Sequence, residues 1–198
     1  MESDGDITMV TTGPMTNLGM AIRMEPRIVP KIKRIVLMGG AYTNGNVTPA
    51  AEFNIIADAD AAYVCFTAGR PITMIGLDVT RKALCYPSIV DRMDKIGNKA
   101  SKLFVDLMRH FCKSQKEVFG WEGGPLHDPI TIAWLIDPSV VETKPMHAEI
   151  DIRSVQSYGR TNCDFFGYQK LEPNADVGIG IDADKFWDMV EEVLRMYD

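Results

Sequence analysis

Arg34-Ile35-Val36-Leu37-Met38-Gly39-Gly40 decides the fold of this 198-residue chain. Four apolar residues in succession, closed by two glycines, read as a strand buried on both faces rather than one with a wet side. Such strands belong to parallel sheets covered by helices, and the flanking sequence supplies those helices. Upstream, Ile7-Thr8-Met9-Val10-Thr11 reads as another fully buried strand and Thr16 to about Met24 as a helix. Downstream, Asp58 to Ala68 is an alanine-rich helix stopped by Gly69, and Pro71-Ile72-Thr73-Met74-Ile75 is a third strand. Repeated strand–helix–strand units predict an α/β fold with an open, mainly parallel sheet flanked by helices.

The second half is more mixed. Pro87 to Ile96 and Ala100 to Val118 have helical spacing, and Leu103, Phe104, Leu107, Met108 and Phe111 mark one face of the longer helix as buried. His147 to Ile152 alternates like a strand. Thr161 to Phe165 is a further candidate, beside an Arg160 that suits either a functional charge or an edge charge. Asp176 to Ile181 is a short strand leading into an amphipathic helix, Asp184 to Met196. Without repeats, low-complexity stretches or linkers, the expectation is a single domain over 1–198. The opening Met1-Glu2-Ser3-Asp4-Gly5-Asp6 is a polar turn that runs at once into a buried strand, as though a sheet were cut in its middle.

Composition narrows the function classes. Hydrophobic residues at 46% and charged residues at 24% describe an ordinary soluble globular protein. A formal net charge of -6 with no basic stripe argues against nucleic-acid and anionic-membrane partners. Lys31, Lys33 and Arg34 read as a solvated edge. The cysteines, Cys65, Cys85, Cys112 and Cys163, form no Cys-x-x-Cys pair and read as free thiols in a reducing compartment. With no membrane-length apolar run and no signal peptide in view, the expected location is the cytoplasm.

Ligands of open parallel sheets bind beyond the C-terminal strand ends. Here those ends carry Thr12-Gly13, Gly39-Gly40 and Asp78. Gly39-Gly40-Ala41 lacks the spacing of a phosphate-binding loop, but the loop beyond it supplies Asn44, Asn46, Glu52 and Asn54. Neutral amides with one carboxylate suit a polyhydroxyl ligand; turn-forming asparagines would look the same. Gly123-Gly124-Pro125-Leu126-His127-Asp128-Pro129 sets an imidazole beside a carboxylate at a loop-to-helix junction, with helix over Ile130 to Ile136. Pro129 fits the first helical position, Asp128 the N-cap, and the glycines a tight turn before it. Asp128 is thus either a plain cap or a polar group at an anion-friendly helix end.

Four blocks together resemble the inosine–uridine-preferring nucleoside hydrolase family: Val10-Thr11-Thr12-Gly13-Pro14-Met15-Thr16-Asn17, Val36-Leu37-Met38-Gly39-Gly40, Ala51-Glu52-Phe53-Asn54 with Asp58, and His127-Asp128. The likeness is nearest to bacterial members that prefer pyrimidine nucleosides. It implies hydrolysis of the N-glycosidic bond to ribose and free base, with a calcium ion holding the ribose hydroxyls and the attacking water. By the same likeness Asp128 would be a calcium ligand and Thr12 would lend its backbone carbonyl. Asn46, Glu52 and Asn54 would bind the ribose hydroxyls, and Met38 would pack behind the sugar. His127 would assist the departing base as donor or proton relay. The resemblance also implies a small-molecule nucleoside partner and a homo-oligomer, dimer or tetramer.

Two departures stand out. Pyrimidine-preferring members carry a Gln and a Tyr on the helix before the His-Asp pair; this chain has Gln115 and Phe119 there, one turn apart. Phe119 cannot donate a proton and equally suits a core aromatic. The family's aspartate cluster, Asp-x-Asp-x-Gly-x-Asp-Asp, is not among these 198 residues, so the chain reads as a C-terminal portion whose own activity and calcium binding would be weak. The alternative is a non-catalytic ribosyl-binding or structural remnant. An unrelated α/β binding domain would require all four matches to be accidents.

Overall fold

In chain order the first elements are β1 (Ile7–Thr11), α1 (Thr16–Met24), a 3-10 segment (Pro26–Lys31), β2 (Ile32–Met38), α2 (Phe53–Ile56), α3 (Ala59–Phe66) and β3 (Ile72–Ile75). The single turn α4 (Leu77–Thr80) leads to β4 (Leu84–Cys85), α5 (Pro87–Asp94), α6 (Lys99–Phe119), β5 (Gly124–Pro125) and α7 (Pro129–Ile136). A 3-10 turn (Pro138–Val140) precedes β6 (Val141–Met146), β7 (Ala148–Ile150), β8 (Thr161–Cys163), β9 (Ala175–Ile181) and α8 (Ala183–Arg195). This computed structural model describes residues 3–197; Met1 and Glu2 of the expected opening turn lie outside them. The chain falls into two units, Met1–Val79 with Val141–Gly180, and Thr80–Val140 with Ile181–Asp198.

The first unit holds a five-stranded sheet in the order β1-β2-β3-β9-β6. The pairs β1–β2, β2–β3 and β3–β9 are all parallel, with Thr11 opposite Leu37, Leu37 opposite Met74 and Met74 opposite Val177. Leu37, Met74 and Val177 are wholly buried, as the two-sided apolar reading requires. Helices α1 and α3 cover this core with Met15, Leu18, Ala62 and Cys65. One expectation fails: β1 is half-exposed, with Ile7 45% accessible. It ends the strand order and so has a neighbour on one side only. β7 and β8 form an antiparallel pair.

The second unit is helical around Phe186 and Trp187 of α8, both buried, with Met93 of α5, Val105 and Met108 of α6, and Ile130 of α7. Polar ties hold its rim: Arg92 reaches Asp188 at 2.7 Å and also Glu191, and Lys185 reaches Asp137 at 2.6 Å. Asn98 caps α6 by accepting from the Ser101 N–H at 2.8 Å, and Gly120 ends it in the left-handed conformation. The apolar face expected on α6 is corrected here. Leu103 and Leu107 are exposed, and the buried face is Ser101, Val105 and Met108, rotated toward α5 and α8. No described helix is long and apolar enough to cross a membrane.

Candidate active site

The residues expected to form a site divide between the units: Thr12, Met38, Asn46, Glu52 and Asn54 in the first, Gln115, Phe119, His127 and Asp128 in the second. In the first unit Thr12 is exposed just past the end of β1. Met38 ends β2, is buried against Ala41 and Leu77, and meets the Asn54 side chain. Asn54 donates from Nδ2 to the Met38 carbonyl at 3.0 Å and to Met38 Sδ at 3.4 Å. Glu52 is buried and N-caps α2: Oε1 accepts from the Asn54 N–H at 2.9 Å, Oε2 from Ile55 N–H at 3.2 Å and Gly40 N–H at 2.9 Å. Glu52 is therefore a structural tie across the strand-end loop.

The loop carrying Asn46 is bound to itself. The Ala51 carbonyl accepts from the N–H groups of Asn46 at 3.1 Å and Val47 at 3.2 Å. Asn46 Oδ1 accepts from the Phe53 N–H at 2.9 Å, which leaves its amide nitrogen as the outward donor. Gly45 is required for this fold-back, since a Cβ there would lie 2.1 Å from the Ala51 carbonyl oxygen. Two residues that the sequence did not single out as loop ties complete the frame. Asp78 accepts from the Tyr42 N–H at 2.7 Å, and the Thr161 hydroxyl accepts from Ala41 N–H at 2.9 Å while donating to the Ala41 carbonyl at 2.6 Å. Asp78 stood out in the sequence only as a polar residue between Leu77 and Val79, and Thr161, between Arg160 and Asn162, carried no such signal.

In the second unit, Gly123 lies in a bend and Gly124 begins β5, where Cys85 lies opposite it. A Cβ on Gly123 would meet the Cys85 carbonyl at 2.7 Å, and one on Gly124 would meet Phe111 at 2.7 Å. The glycines provide room, and the pairing aims the chain into His127 and Asp128. Asp128 does not cap α7 with its side chain: its dihedrals are already helical, and its carboxylate makes no cap hydrogen bond. The carboxylate is open to solvent yet crowded enough that desolvation raises its pKa.

His127 is mostly buried, and its Nδ1 lies 2.7 Å from the Thr80 hydroxyl. Burial, with the nearby Arg81 charge second, pushes its pKa down to about 4, so the ring is neutral near pH 7. Gln115 and Phe119 sit on α6, and Phe119 is no core aromatic: it is exposed and stacks on Trp121 with ring centroids 4.9 Å apart. The Arg81 guanidinium lies 5.9 Å from the Trp121 ring centre. Thr80, Arg81 and Trp121 are the second unit's additions to the expected set. His110 is exposed on α6. All four cysteines are free, and burial pushes the Cys65, Cys85 and Cys163 thiols up to about 12.

A family profile described as inosine-uridine preferring nucleoside hydrolase matches residues 1–188, across both units. The chain belongs to this family. Among curated relatives of this chain, "Pyrimidine-specific ribonucleoside hydrolase RihB" of Shigella flexneri serotype 5b is 50% identical over 197 residues, covering 100% of this chain and 63% of the relative. A "Putative pyrimidine-specific ribonucleoside hydrolase RihB" of Shigella boydii serotype 4 is 51% identical, covering 100% of this chain and 81% of the relative. Among solved structures, a purine-preferring ribonucleoside hydrolase from Gardnerella vaginalis superposes with a TM-score of 0.86 at 34% identity, over 97% of this chain and 62% of that one. The chain thus spans about 63% of the length of the first of these relatives.

Calcium, implied by the resemblance, can be tested against the residues present. Calcium takes six to eight oxygens, and the expected set offers one carboxylate, Asp128, and one carbonyl, Thr12. Among the described residues no three His, Cys, Asp or Glu side chains gather in a metal-binding group. The residues present do not fit a calcium shell.

Proposed function

We propose that this chain carries the sugar-holding and leaving-group residues of a ribonucleoside hydrolase acting on the N-glycosidic bond, within one nucleoside hydrolase domain spanning 1–198. The observation that carries the reading is an imidazole, His127, held with Nδ1 2.7 Å from the Thr80 hydroxyl and directly beside a carboxylate, Asp128, that does no capping. Loss of the base leaves an oxocarbenium-like ribosyl group, which a nearby carboxylate favours, while the departing base needs a hydrogen-bond donor. Asp128 supplies the first and the His127 N–H the second. A ring neutral near pH 7 acts as a donor rather than as an imidazolium acid. Asn46 offers its amide nitrogen and Asn54 its Oδ1 to the ribose hydroxyls, with Glu52, which fixes the loop, as the third residue of the sugar-holding set. Met38 backs the sugar, and Gln115 and Phe119 face the base, one as a polar contact and the other as a stacking surface.

The proposal includes calcium as the family's cofactor, completed by ligands outside the set described, with Asp128 and the Thr12 carbonyl as contributors. No step is derived through it. A homo-oligomer and a cytoplasmic location belong to the same reading and rest on the family likeness. Base preference leans to pyrimidines through the relatives' printed specificity, although the Gardnerella vaginalis structure is purine-preferring.

The test is ribose release from uridine and inosine with calcium present. The 198-residue chain alone is expected to release negligible ribose. Joined to the part of the Shigella flexneri relative that the match leaves uncovered, it is expected to be active, and His127→Ala should lower that activity by about 10²-fold or more. A joined protein without activity, or one indifferent to His127→Ala, overturns the reading. The remnant alternative predicts nucleoside binding by calorimetry without turnover in either form.

A further inference from the structure

The Thr80 hydroxyl, at the end of α4, is wholly buried, so water cannot take its hydrogen. A hydroxyl has one hydrogen to donate, and a buried one is paired. Among the described residues the partner of this hydroxyl is His127 Nδ1, at 2.7 Å. A ring nitrogen that carries a hydrogen cannot accept one. With a hydrogen on Nδ1, the Thr80 oxygen would accept and its own hydrogen would be stranded. With Nδ1 bare and the ring hydrogen on Nε2, Thr80 donates to Nδ1 and both groups are satisfied.

We infer that Thr80 is a positioning residue that holds His127 as the Nε2–H tautomer, so that the ring presents a donor, not an acceptor, on its far side. The cost of an orphaned buried hydroxyl corresponds to a preference of about tenfold or more for this tautomer. Thr80 is β-branched and stiff about χ1, and its carbonyl accepts from the Ala83 N–H at 3.4 Å, so backbone and side chain both hold the hydroxyl in place. The inference deepens the leaving-group role proposed for His127 and rests on that reading for its catalytic meaning. The tautomer itself is a property of the pair whether or not the protein turns over.

Nitrogen-15 NMR of the histidine rings in the 198-residue chain near neutral pH separates the two questions. The expected spectrum shows His127 Nε2 protonated and Nδ1 bare. Thr80→Ser, which keeps the hydroxyl, retains that pattern; Thr80→Val, nearly isosteric, erodes the preference toward a mixture. Protonated Nδ1 in the parent chain overturns the inference, as does a Thr80→Val spectrum identical to the parent's. In the joined protein, Thr80→Val should lower the catalytic constant for ribose release with little change in KM, and Thr80→Ser should restore it. A parent spectrum of the expected form with no ribose release would sink the hydrolase reading while leaving the tautomer assignment standing.

Discussion

Burial acts on the charges of His127 and Asp128 in opposite directions, because in each case it favours the neutral form. It lowers the affinity of the imidazole for a proton and raises that of the carboxyl. For His127 the consequence is a pH-dependent stability. The folded ring titrates at about 4 against an ordinary 6.5, so between these values the unfolded chain binds the extra proton. The contribution is whole above the ordinary value and is lost as the pH falls toward 4, up to about 3 kcal/mol. Denaturant unfolding of the chain and of His127→Gln at about pH 5 and about pH 7 checks this. The parent should gain more stability over that interval than the variant; parallel pH profiles would refute it. Asp128, shifted upward, has the reverse sign and is present in both proteins, so it does not alter the comparison.

At the level of elements, α6 shows where a periodic pattern misleads. Leu103 and Leu107 are one turn apart and look like a core stripe, yet both are more than half accessible. Changing each of them to Glu should move stability by no more than about 0.5 kcal/mol, whereas Met108→Ala on the inward face should cost about 2–5 kcal/mol. Urea midpoints decide it, and a large loss from Leu103→Glu would mean that the inward face is misassigned. The central strands were legible because Ile35-Val36-Leu37 and Ile72-Thr73-Met74-Ile75 are buried on both sides and read so directly. β6, Val141-Glu142-Thr143-Lys144-Pro145-Met146, was not, since it ends the strand order, where polar residues and a proline are tolerated. In the site, His127 and Asp128 were visible as a pair. The partnership with Thr80 was not, because 47 positions separate the two and only the fold joins them. Glu52 looked like a ligand and proved first to be a cap, since its third partner, Gly40, lies 12 residues away.

At the scale of the whole molecule, the test is what calcium does to the fold. An ion bound to the native state alone raises the melting temperature, by an amount that grows with the logarithm of its concentration over its dissociation constant. With one carboxylate and one carbonyl in the expected set, against the six to eight oxygens calcium takes, added calcium or a chelator should leave the Tm of the 198-residue chain unchanged. Differential scanning calorimetry with and without the ion measures this. A calcium-dependent rise in Tm would show that these residues assemble a shell after all. The family match runs across both units, so the same ion added to the joined protein is the natural positive control.

The Asn46 loop carries a last consequence. Its peptide groups close on the Ala51 carbonyl, Glu52 ties it to Gly40, and Asp78 and Thr161 hold its base. Fixing a residue's backbone costs about 1–2 kcal/mol, and here that ordering is completed during folding, before any ligand arrives. The sugar that we propose Asn46 and Asn54 take up would meet a rigid cup, and its affinity would not be diminished by having to freeze a floppy one.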